Sequence, residues 1–220
     1  MTAKWAEGLP HELMYWRKLL SGRKGAEGAT LLRDRLNPAN PLHPDVEAAL
    51  GFPAGTTIRA LDIGAGPLSS LGYRSERYDV VLTPIDALAD DYTVLLREHG
   101  MTPPVPTRKM AAEQIAVVFR PASFELVHAR NSLDHCADPL RVLLAARDLL
   151  VPGGLLYIRT YFNEGERRQY QGLHGWNFEV IDDRLCLWRP GERHDLSALF
   201  LGGRLRTVPE PEVVFAYTKG

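Results

Sequence analysis

Short apolar segments alternate with amphipathic segments along most of the chain. Segments of strand length and apolar character occupy 58–64 (IRALDIG), 78–86 (YDVVLTPID), 124–129 (FELVHA) and 155–162 (LLYIRTYF). Segments with helical spacing lie between them, the clearest being 138–150 (DPLRVLLAARDLL). Because only crossover connections bury both faces of a sheet, this alternation predicts a mainly parallel sheet with helices on both faces. The expected fold class is α/β, a doubly wound domain.

The two ends of the chain depart from this alternation. Residues 10–20 (PHELMYWRKLL) have helical spacing and predict an amphipathic helix with Pro10 in its first turn. A proline-rich connection at 37–44 and a short helix at 45–50 follow. We therefore expect residues 1–56 to form a helical extension, or lid, packed on a domain of residues 57–220. Near the other end, 184–189 (RLCLWR) and 213–219 (VVFAYTK) predict an antiparallel pair of strands that closes one edge of the sheet.

Composition narrows the classes of partner. The chain has 26 basic and 27 acidic residues without a long run of either sign, which argues against nucleic acid and against an anionic membrane surface. It has two cysteines in no metal-like spacing, and neither a signal peptide nor an apolar run of membrane length is evident. A bacterial protein of the reducing cytoplasm with a small-molecule partner is expected. The oligomeric state stays open.

In doubly wound folds, ligands bind at the carboxyl ends of the strands. The first strand runs into LDIGAGPLSSL at 61–71, where Gly64 and Gly66 permit a tight turn and Pro67 can begin the next helix. The second strand ends at Asp86, near the offset at which an acidic side chain meets ribose hydroxyls. Ser69 stands where a dinucleotide fingerprint wants its third glycine, which disfavours a nicotinamide-dependent oxidoreductase.

These motifs resemble those of class I S-adenosylmethionine-dependent methyltransferases, and the resemblance runs from about Ile58 to the C-terminus. LDIGAG resembles the first motif of that family, and VPGGLLYI at 151–158 resembles the turn into its fifth strand. Ala111-Ala112-Glu113 resembles an Asp-Ala-Glu element in which Ala111 replaces the Asp, so the backbone there is the expected adenine contact. The blocks GAGPLSSLG, DALADDY, RNSLDH and GLHGWNF are similar to one bacterial subgroup of mostly unassigned substrate.

The resemblance implies a Rossmann-like methyltransferase fold that binds S-adenosylmethionine and releases S-adenosylhomocysteine. It places the first-motif residues around the methionine and ribose, Asp86 on the ribose hydroxyls, and the two residues after Asp86 beside the adenine. The cofactor-binding residues expected on this basis are Asp62, Gly64, Ala65, Gly66, Asp86, Ala87, Leu88, Ala112, Glu113 and Asn131.

The segment NSLDH at 131–135 follows the fourth strand and precedes a helix with Asp138 as its N-cap. Methyl transfer to oxygen requires alignment of the acceptor and removal of its proton. Histidine is the natural base near neutral pH, and a carboxylate can orient it, so His135 and Asp134 are candidate catalytic residues. The alternative is a loop whose Asn and Asp only cap backbone groups.

The segment NEGERRQYQGLHGWNF at 163–178 leaves the carboxyl end of the fifth strand and should face the acceptor. His174 is a second candidate base, with Glu164 as a candidate orienter. The aromatic side chains of the N-terminal helix are expected to dock it on the domain, and one of them can also close the site. Alternatively, Trp176 and Phe178 anchor the loop in the core. The substrate-binding candidates are Asn163, Glu164, Tyr170, Trp176, Asn177 and Tyr15.

The leading hypothesis is transfer of a methyl group to the oxygen of a small molecule. The acceptor would be a sugar, a glycosylated or aromatic metabolite, or a carboxylate, as in secondary metabolism. An N-methyltransferase and a non-catalytic S-adenosylmethionine-binding regulatory module remain as alternatives. No metal is expected, since no spacing of ligand residues demands one, although Asp134, His135 and a nearby carboxylate could form a site.

Overall fold

A computed structural model describes residues 3–207 and 212–220. Its helices are α1 (Ala3–Leu20), α2 (Gly25–Leu36), α3 (Pro44–Ala49), α4 (Ala89–Glu98), α5 (Ile115–Val118), α6 (Pro139–Leu149), α7 (Glu164–Arg167) and α8 (Leu196–Leu199). Its strands are β1 (Thr57–Ile63), β2 (Asp79–Asp86), β3 (Arg108–Lys109), β4 (Phe124–Arg130), β5 (Leu150–Tyr161), β6 (Asn177–Ile181), β7 (Arg184–Arg189), β8 (Glu192–Asp195), β9 (Arg204–Thr207) and β10 (Glu212–Thr218). Within the described residues, no helix is both long and apolar enough to cross a membrane.

The central sheet has seven strands in the order β3-β2-β1-β4-β5-β10-β9. The first five of these are parallel, and β10 then pairs antiparallel with both β5 and β9. Strand β4, at the centre, is buried along nearly its whole length, as a strand covered on both faces must be. The doubly wound fold with an antiparallel C-terminal edge is therefore confirmed.

The expected pairing of 184–189 with 213–219 is wrong. Strand β7 instead forms a separate three-stranded antiparallel sheet with β6 and β8. The turn between β6 and β7 consists of Asp182 and Asp183, both with positive φ, as a two-residue hairpin turn of type I′ requires. This local turn chemistry decides the pairing, and the buried Phe178 and Leu187 of the small sheet join the same hydrophobic core as β4, β5 and α6.

The expected helix after Pro67 is also absent, although the structure describes every residue between β1 and β2. Residues 64–78 form an irregular connection, and the chain at 40–43 runs alongside it. The backbone N–H groups of Leu42 and His43 donate to the carbonyls of Arg74 and Leu71, at 2.6 and 2.7 Å. This stretch of the N-terminal extension is therefore bonded to the irregular connection.

Helix α1 begins at Ala3, so Pro10 lies inside the helix and not in its first turn, which corrects the sequence-based boundary. Helix α2 was not predicted. Trp16 and Leu19 of α1 pack with Leu68, Leu88 and Tyr92 in one hydrophobic cluster. The N-terminal helices are therefore docked on the carboxyl ends of the first two strands.

Gly8 of α1 lies against the loop that follows α7. A Cβ atom at this position would lie 2.5 Å from Leu173 Cδ2 and 2.7 Å from the carbonyl carbon of Gly172. We predict that Gly8→Ala lowers the free energy of unfolding, although alanine favours a helix over glycine by about 0.5–1 kcal/mol. Overpacking against backbone costs about 1–3 kcal/mol and should outweigh that gain.

Urea unfolding of the two proteins measures the difference. Glu7→Ala, at the exposed neighbouring position, is the control and should change stability by less than about 0.5 kcal/mol. A Gly8→Ala variant that is more stable than the parent protein would contradict the described contact between α1 and the loop.

Candidate active site

A cavity of about 890 Å³ lies at the carboxyl ends of β1, β2 and β4, with α1 along one wall. Every residue expected to bind the cofactor lines this cavity, from the glycine turn after β1, the end of β2, the segment before α5 and the loop after β4. These residues are Asp62, Gly64, Ala65, Gly66, Asp86, Ala87, Leu88, Ala112, Glu113 and Asn131. The rule that ligand sites form at strand ends therefore located the cavity.

The turn after β1 requires glycine at two positions. Gly64 and Gly66 have φ values of +66° and +64°, a region that side chains with a Cβ disfavour. Other parts of the protein also pack closely against both glycines. A Cβ atom on Gly64 would lie 2.3 Å from Ser132 Cβ, and one on Gly66 would lie 2.6 Å from the Trp16 ring. The glycines thus let the loop after β4 and helix α1 close around the cavity.

Asp62 borders the cavity at the end of β1, but its oxygens bind other parts of the protein. Ser69 Oγ donates to Asp62 Oδ2 at 2.6 Å, and His128 Nδ1 lies 2.6 Å from Asp62 Oδ1. His128 is therefore a buried histidine with a hydrogen-bond partner, as the apolar character of its strand suggests. Asp62 joins the turn after β1 to the neighbouring strand β4.

Asp86 ends β2 inside the cavity. Its carboxylate accepts hydrogen bonds from the backbone N–H groups of Gly66, at 3.0 Å, and Leu88, at 2.8 Å. Burial raises the pKa of Asp86 to about 6, although these two hydrogen bonds act in the opposite direction. A carboxylate oxygen has more than one lone pair, so Asp86 can still accept from ligand hydroxyls.

The Ala111–Glu113 segment reaches the cavity through a short 3₁₀ turn at Ala112–Gln114. The Glu113 carboxylate accepts from the backbone N–H of Ala137 at 2.8 Å, and it thereby holds the loop that follows β4. This leaves the backbone beside Ala112 as the expected contact with the adenine.

Two loops distant in sequence meet at one end of the cavity. Asp134 is fully buried, and its Oδ2 lies 2.7 Å from His174 Nδ1. His135 Nε2 lies 3.2 Å from the same His174 nitrogen and 3.6 Å from Asp134 Oδ2. The backbone N–H of Gly175 donates to the Asp134 carbonyl at 2.9 Å, which fixes one loop on the other. His135 and His174 both line the cavity, as expected.

Electrostatics favour a charged carboxylate in this cluster. Burial by itself would raise the pKa of Asp134, but the adjacent His135 and His174 rings hold it below its usual range. The donor atoms of Asp134, His135 and His174 all lie within 4.8 Å of one another, a spacing that could hold a metal ion. The expectation that the site uses no metal therefore stays a prediction.

Glu164 pairs with Arg168, while Asp134 is a carboxylate that contacts His174. Glu164 is buried, and its carboxylate accepts from Arg168 Nε at 2.7 Å, four residues along the same segment. Asp134, in the loop after β4, can orient the His174 ring through its own contact with it. Glu164 and Tyr15 do line the cavity.

The other substrate-binding candidates lie outside the cavity lining. Trp176 is 2% exposed and packs in the core with Phe178, the alternative that the sequence left open. Asn177 is fully buried, with its side chain accepting from the N–H of Glu166 and donating to the Tyr170 hydroxyl. These contacts stabilise the shape of the loop. Contrary to the expectation from the sequence, the cavity lining does not include Asn163, Tyr170, Trp176 and Asn177.

Several lining residues were not predicted. Arg130 and Tyr161 stand at the carboxyl ends of β4 and β5, so a stricter use of the strand-end rule would have found them. Gln169 and Gln171 lie within the polar loop after β5 and carried no signal of their own. Arg35 lines the cavity from α2, and no pattern in the sequence indicated that this helix approaches the site.

Comparisons with known proteins agree with this geometry. The family model described as "Methyltransferase domain" matches residues 43–200. A ubiquinone biosynthesis O-methyltransferase of Xanthomonas campestris pv. campestris is 33% identical over 128 residues, which is 57% of this chain and 51% of the relative. The homologous enzyme of Xanthomonas euvesicatoria pv. vesicatoria is 33% identical over 134 residues, 58% of this chain and 54% of the relative. The chain thus spans about half the length of the curated relatives it matches.

Solved structures show the same fold. Phosphoethanolamine N-methyltransferase 2 of Haemonchus contortus, in complex with phosphomonomethylethanolamine and S-adenosylhomocysteine, aligns with a TM-score of 0.54 at 16% identity, over 80% of this chain and 51% of its own. The CurJ carbon methyltransferase aligns with a TM-score of 0.51 at 20% identity, over 80% of this chain and 52% of its own. With the family model matching well over half of its length, the chain belongs to the methyltransferase family that this model describes, and it shares the fold of these two methyltransferase structures.

Proposed function

We propose that the protein transfers the methyl group of S-adenosylmethionine to the oxygen of a small-molecule acceptor, with His174 as the general base. The observation that carries this proposal is the cluster of Asp134, His135 and His174 at one end of the cavity. A hydroxyl must lose its proton as it is methylated, and this cluster offers a base beside a buried carboxylate.

The cavity has the size and the polar groups that the cofactor needs. Its volume lies within the range of about 300–1,000 Å³ that is usual for small-molecule sites. Asp86 would accept from the ribose hydroxyls, and Leu88 with the backbone near Ala112 would contact the adenine. Asn131 Oδ1 is buried and has no hydrogen-bond partner among the described residues, so it can accept from a ligand N–H. Bound S-adenosylmethionine supplies a sulfonium whose methyl group is electrophilic.

The contact with Asp134 determines which nitrogen of His174 is basic. A carboxylate accepts hydrogen bonds, so His174 Nδ1 carries the hydrogen and donates a hydrogen bond to Asp134 Oδ2. The lone pair of the neutral ring then lies on Nε2, which would take the proton of the acceptor hydroxyl. The Asp134 charge would stabilise the imidazolium that results.

His135 has a different part in this arrangement. Its Nε2 faces His174 Nδ1 at 3.2 Å, so it can be a second acceptor of the same N–H. We infer that His135 positions the His174 ring and that His174 removes the proton. The edge-on packing of the two rings, with centroids 4.7 Å apart, restricts rotation of both.

The acceptor would bind between this cluster and α1. Tyr15, Tyr161, Gln169 and Gln171 line this cavity and offer hydroxyl and amide groups, which suit a polar acceptor such as a sugar or a glycosylated or aromatic metabolite. The names of the Xanthomonas relatives support transfer to oxygen. With α1 against the loop after α7, residues 1–56 would serve as a lid.

Replacing each histidine tests the assignment of the base. A panel of aromatic alcohols, sugars, carboxylic acids and amines identifies an acceptor through S-adenosylhomocysteine release. With that acceptor, His174→Ala should lower kcat by roughly 10²–10⁴-fold, and His135→Ala should lower it less. Calorimetry should show unchanged affinity for S-adenosylhomocysteine. His194→Ala, in the small sheet outside the cavity lining, is the matched control and should behave as the parent protein.

Full turnover by His174→Ala would show that the base is another group. Methylation of amines alone would replace the proposal with N-methyl transfer, which needs positioning but no strong base. Tight cofactor binding without turnover of any acceptor would favour a regulatory module.

The raised pKa of Asp86 predicts that cofactor affinity depends on pH. The ionised carboxylate accepts from the ribose hydroxyls and the protonated form does so less well, so affinity should fall as pH falls through about 6. We expect binding of S-adenosylhomocysteine to be about tenfold weaker at pH 5 than at pH 8.

Titration calorimetry at a series of pH values measures this change. Asp86→Asn, which cannot ionise, should bind more weakly at pH 8 and lose the dependence near pH 6. A parent protein whose affinity stays constant from pH 8 to pH 5 would contradict the placement of the ribose on Asp86.

A further inference from the structure

Three atoms that can ligate a metal converge where the loops after β4 and after α7 meet. His174 Nδ1 lies 2.7 Å from Asp134 Oδ2 and 3.2 Å from His135 Nε2, and His135 Nε2 lies 3.6 Å from Asp134 Oδ2. Atoms with these separations can all lie about 2.0–2.2 Å from one point, which is the bond length that Zn²⁺ makes to histidine nitrogen and carboxylate oxygen. The positions of the three atoms therefore suit a single ion.

Hydrogen bonding alone does not satisfy this cluster well. The hydrogen on His174 Nδ1 has two acceptors within reach, Asp134 Oδ2 and His135 Nε2, and it cannot be aligned with both. The other carboxylate oxygen, Asp134 Oδ1, is buried without a hydrogen-bond partner among the described residues. A metal ion would instead accept a lone pair from each of the three side chains.

The charge of the cluster also favours a cation. Asp134 is fully buried, and its partners in ion pairs are His135 and His174, with no lysine or arginine of the described chain within that range. A buried carboxylate is costly unless an opposite charge compensates it. Imidazole rings in their neutral form offer hydrogen bonds but no charge. A divalent ion would supply the missing positive charge.

The cluster is accessible and held in place. His135 and His174 both line the cavity, so an ion can reach them from there. The hydrogen bond of 2.9 Å from the Gly175 N–H to the Asp134 carbonyl fixes the two loops on each other. Two nitrogens and one oxygen favour a transition-metal ion such as Zn²⁺ over Mg²⁺, which prefers oxygen ligands. Three protein ligands leave a position on the ion open toward the cavity.

We propose that Asp134, His135 and His174 form a binding site for Zn²⁺ and that the bound ion inhibits methyl transfer. The inhibition rests on the proposed role of His174 as the base, whereas the binding rests only on the three ligand atoms. A neutral imidazole that binds an ion through Nδ1 carries its hydrogen on Nε2. His174 Nε2 then has no lone pair with which to take the proton of the acceptor. The ion thus competes with the hydrogen on Nδ1 and is not part of the reaction.

Metal titration of the protein, first freed of metal with EDTA, tests the binding. Calorimetry with ZnCl₂ should show one site per chain, and MgCl₂ should bind far more weakly. Co²⁺ bound in place of Zn²⁺ should show the visible absorption of an ion with nitrogen and oxygen ligands. Asp134→Asn, His135→Ala and His174→Ala should each weaken Zn²⁺ binding by more than about tenfold, because losing even a partner behind a ligand costs roughly 10–100-fold.

His194→Ala is the matched control. His194 Nε2 lies 2.9 Å from Glu192 Oε1 in the small sheet, a histidine–carboxylate pair that lacks a third ligand among the described residues. This variant should bind Zn²⁺ as the parent protein does. Absence of saturable Zn²⁺ binding by the parent protein would overturn the inference, whether or not any variant folds. Binding that survives all three substitutions in the cluster would place the ion elsewhere and would also overturn it.

Initial rates with an acceptor found in the panel of compounds test the inhibition. Turnover of the parent protein should fall as Zn²⁺ fills the site, and EDTA should restore it. A rate that rises with Zn²⁺ would make the ion part of the reaction, and a rate that is unchanged at full occupancy would show that the ion does not block the base. Either result overturns the proposed inhibition. Full turnover by His174→Ala would refute the base but leave the binding measurements unchanged, so the two proposals can fail separately.

Discussion

The buried carboxylate of Asp62 is the contact on which the site depends. It is 2% exposed, and it accepts from Ser69 Oγ in the irregular connection after β1 while facing His128 Nδ1 of β4. Ser69 Oγ in turn accepts from the backbone N–H of Leu71. No helix stabilises this connection, so these hydrogen bonds hold it in its position instead. They fix the glycine turn relative to the strand that carries Arg130 and Asn131, and hence both walls of the proposed cofactor site.

Elements far apart in the sequence form the remaining walls of the cavity. Helix α1 covers the glycine turn with Trp16, and Glu12 accepts a hydrogen bond from the Trp16 indole at 2.8 Å. The loop after α7 covers the other end and brings His174 to Asp134. Because the proposed lid and the proposed base depend on different elements, a change in the lid would alter ligand entry without altering the proton-accepting group.

The sequence predicts those features that are determined locally. Apolar runs fix the parallel strands, positive φ requires glycine at Gly64 and Gly66, and Asp138 caps α6 by accepting from the N–H of Arg141. The strand-end rule then locates the lining residues without any knowledge of tertiary contacts. The prediction of two histidine-bearing loops at one edge follows from the same rule.

The features that failed depend on contacts between distant segments. Nothing near Pro67 indicates that residues 40–43 will bond to the connection after β1, and nothing near Glu164 shows that Arg168 will pair with it while Asp134 contacts His174. The burial of Trp176 is likewise set by the small sheet, whose pairing follows from a turn at Asp182 and Asp183. Arg35 carries no local signal, since a charged residue on an amphipathic helix is ordinarily a solvent-facing one.

The central claim is that one cavity holds the cofactor with its sulfur facing His174. A crystal structure of the protein with S-adenosylhomocysteine measures this most directly. We expect the ribose hydroxyls on Asp86, the amino-acid group beside Asn131, and the thioether sulfur at the end of the cavity occupied by His135 and His174. A ligand bound in this cavity with its sulfur directed away from both histidines, or bound elsewhere on the protein, would contradict it.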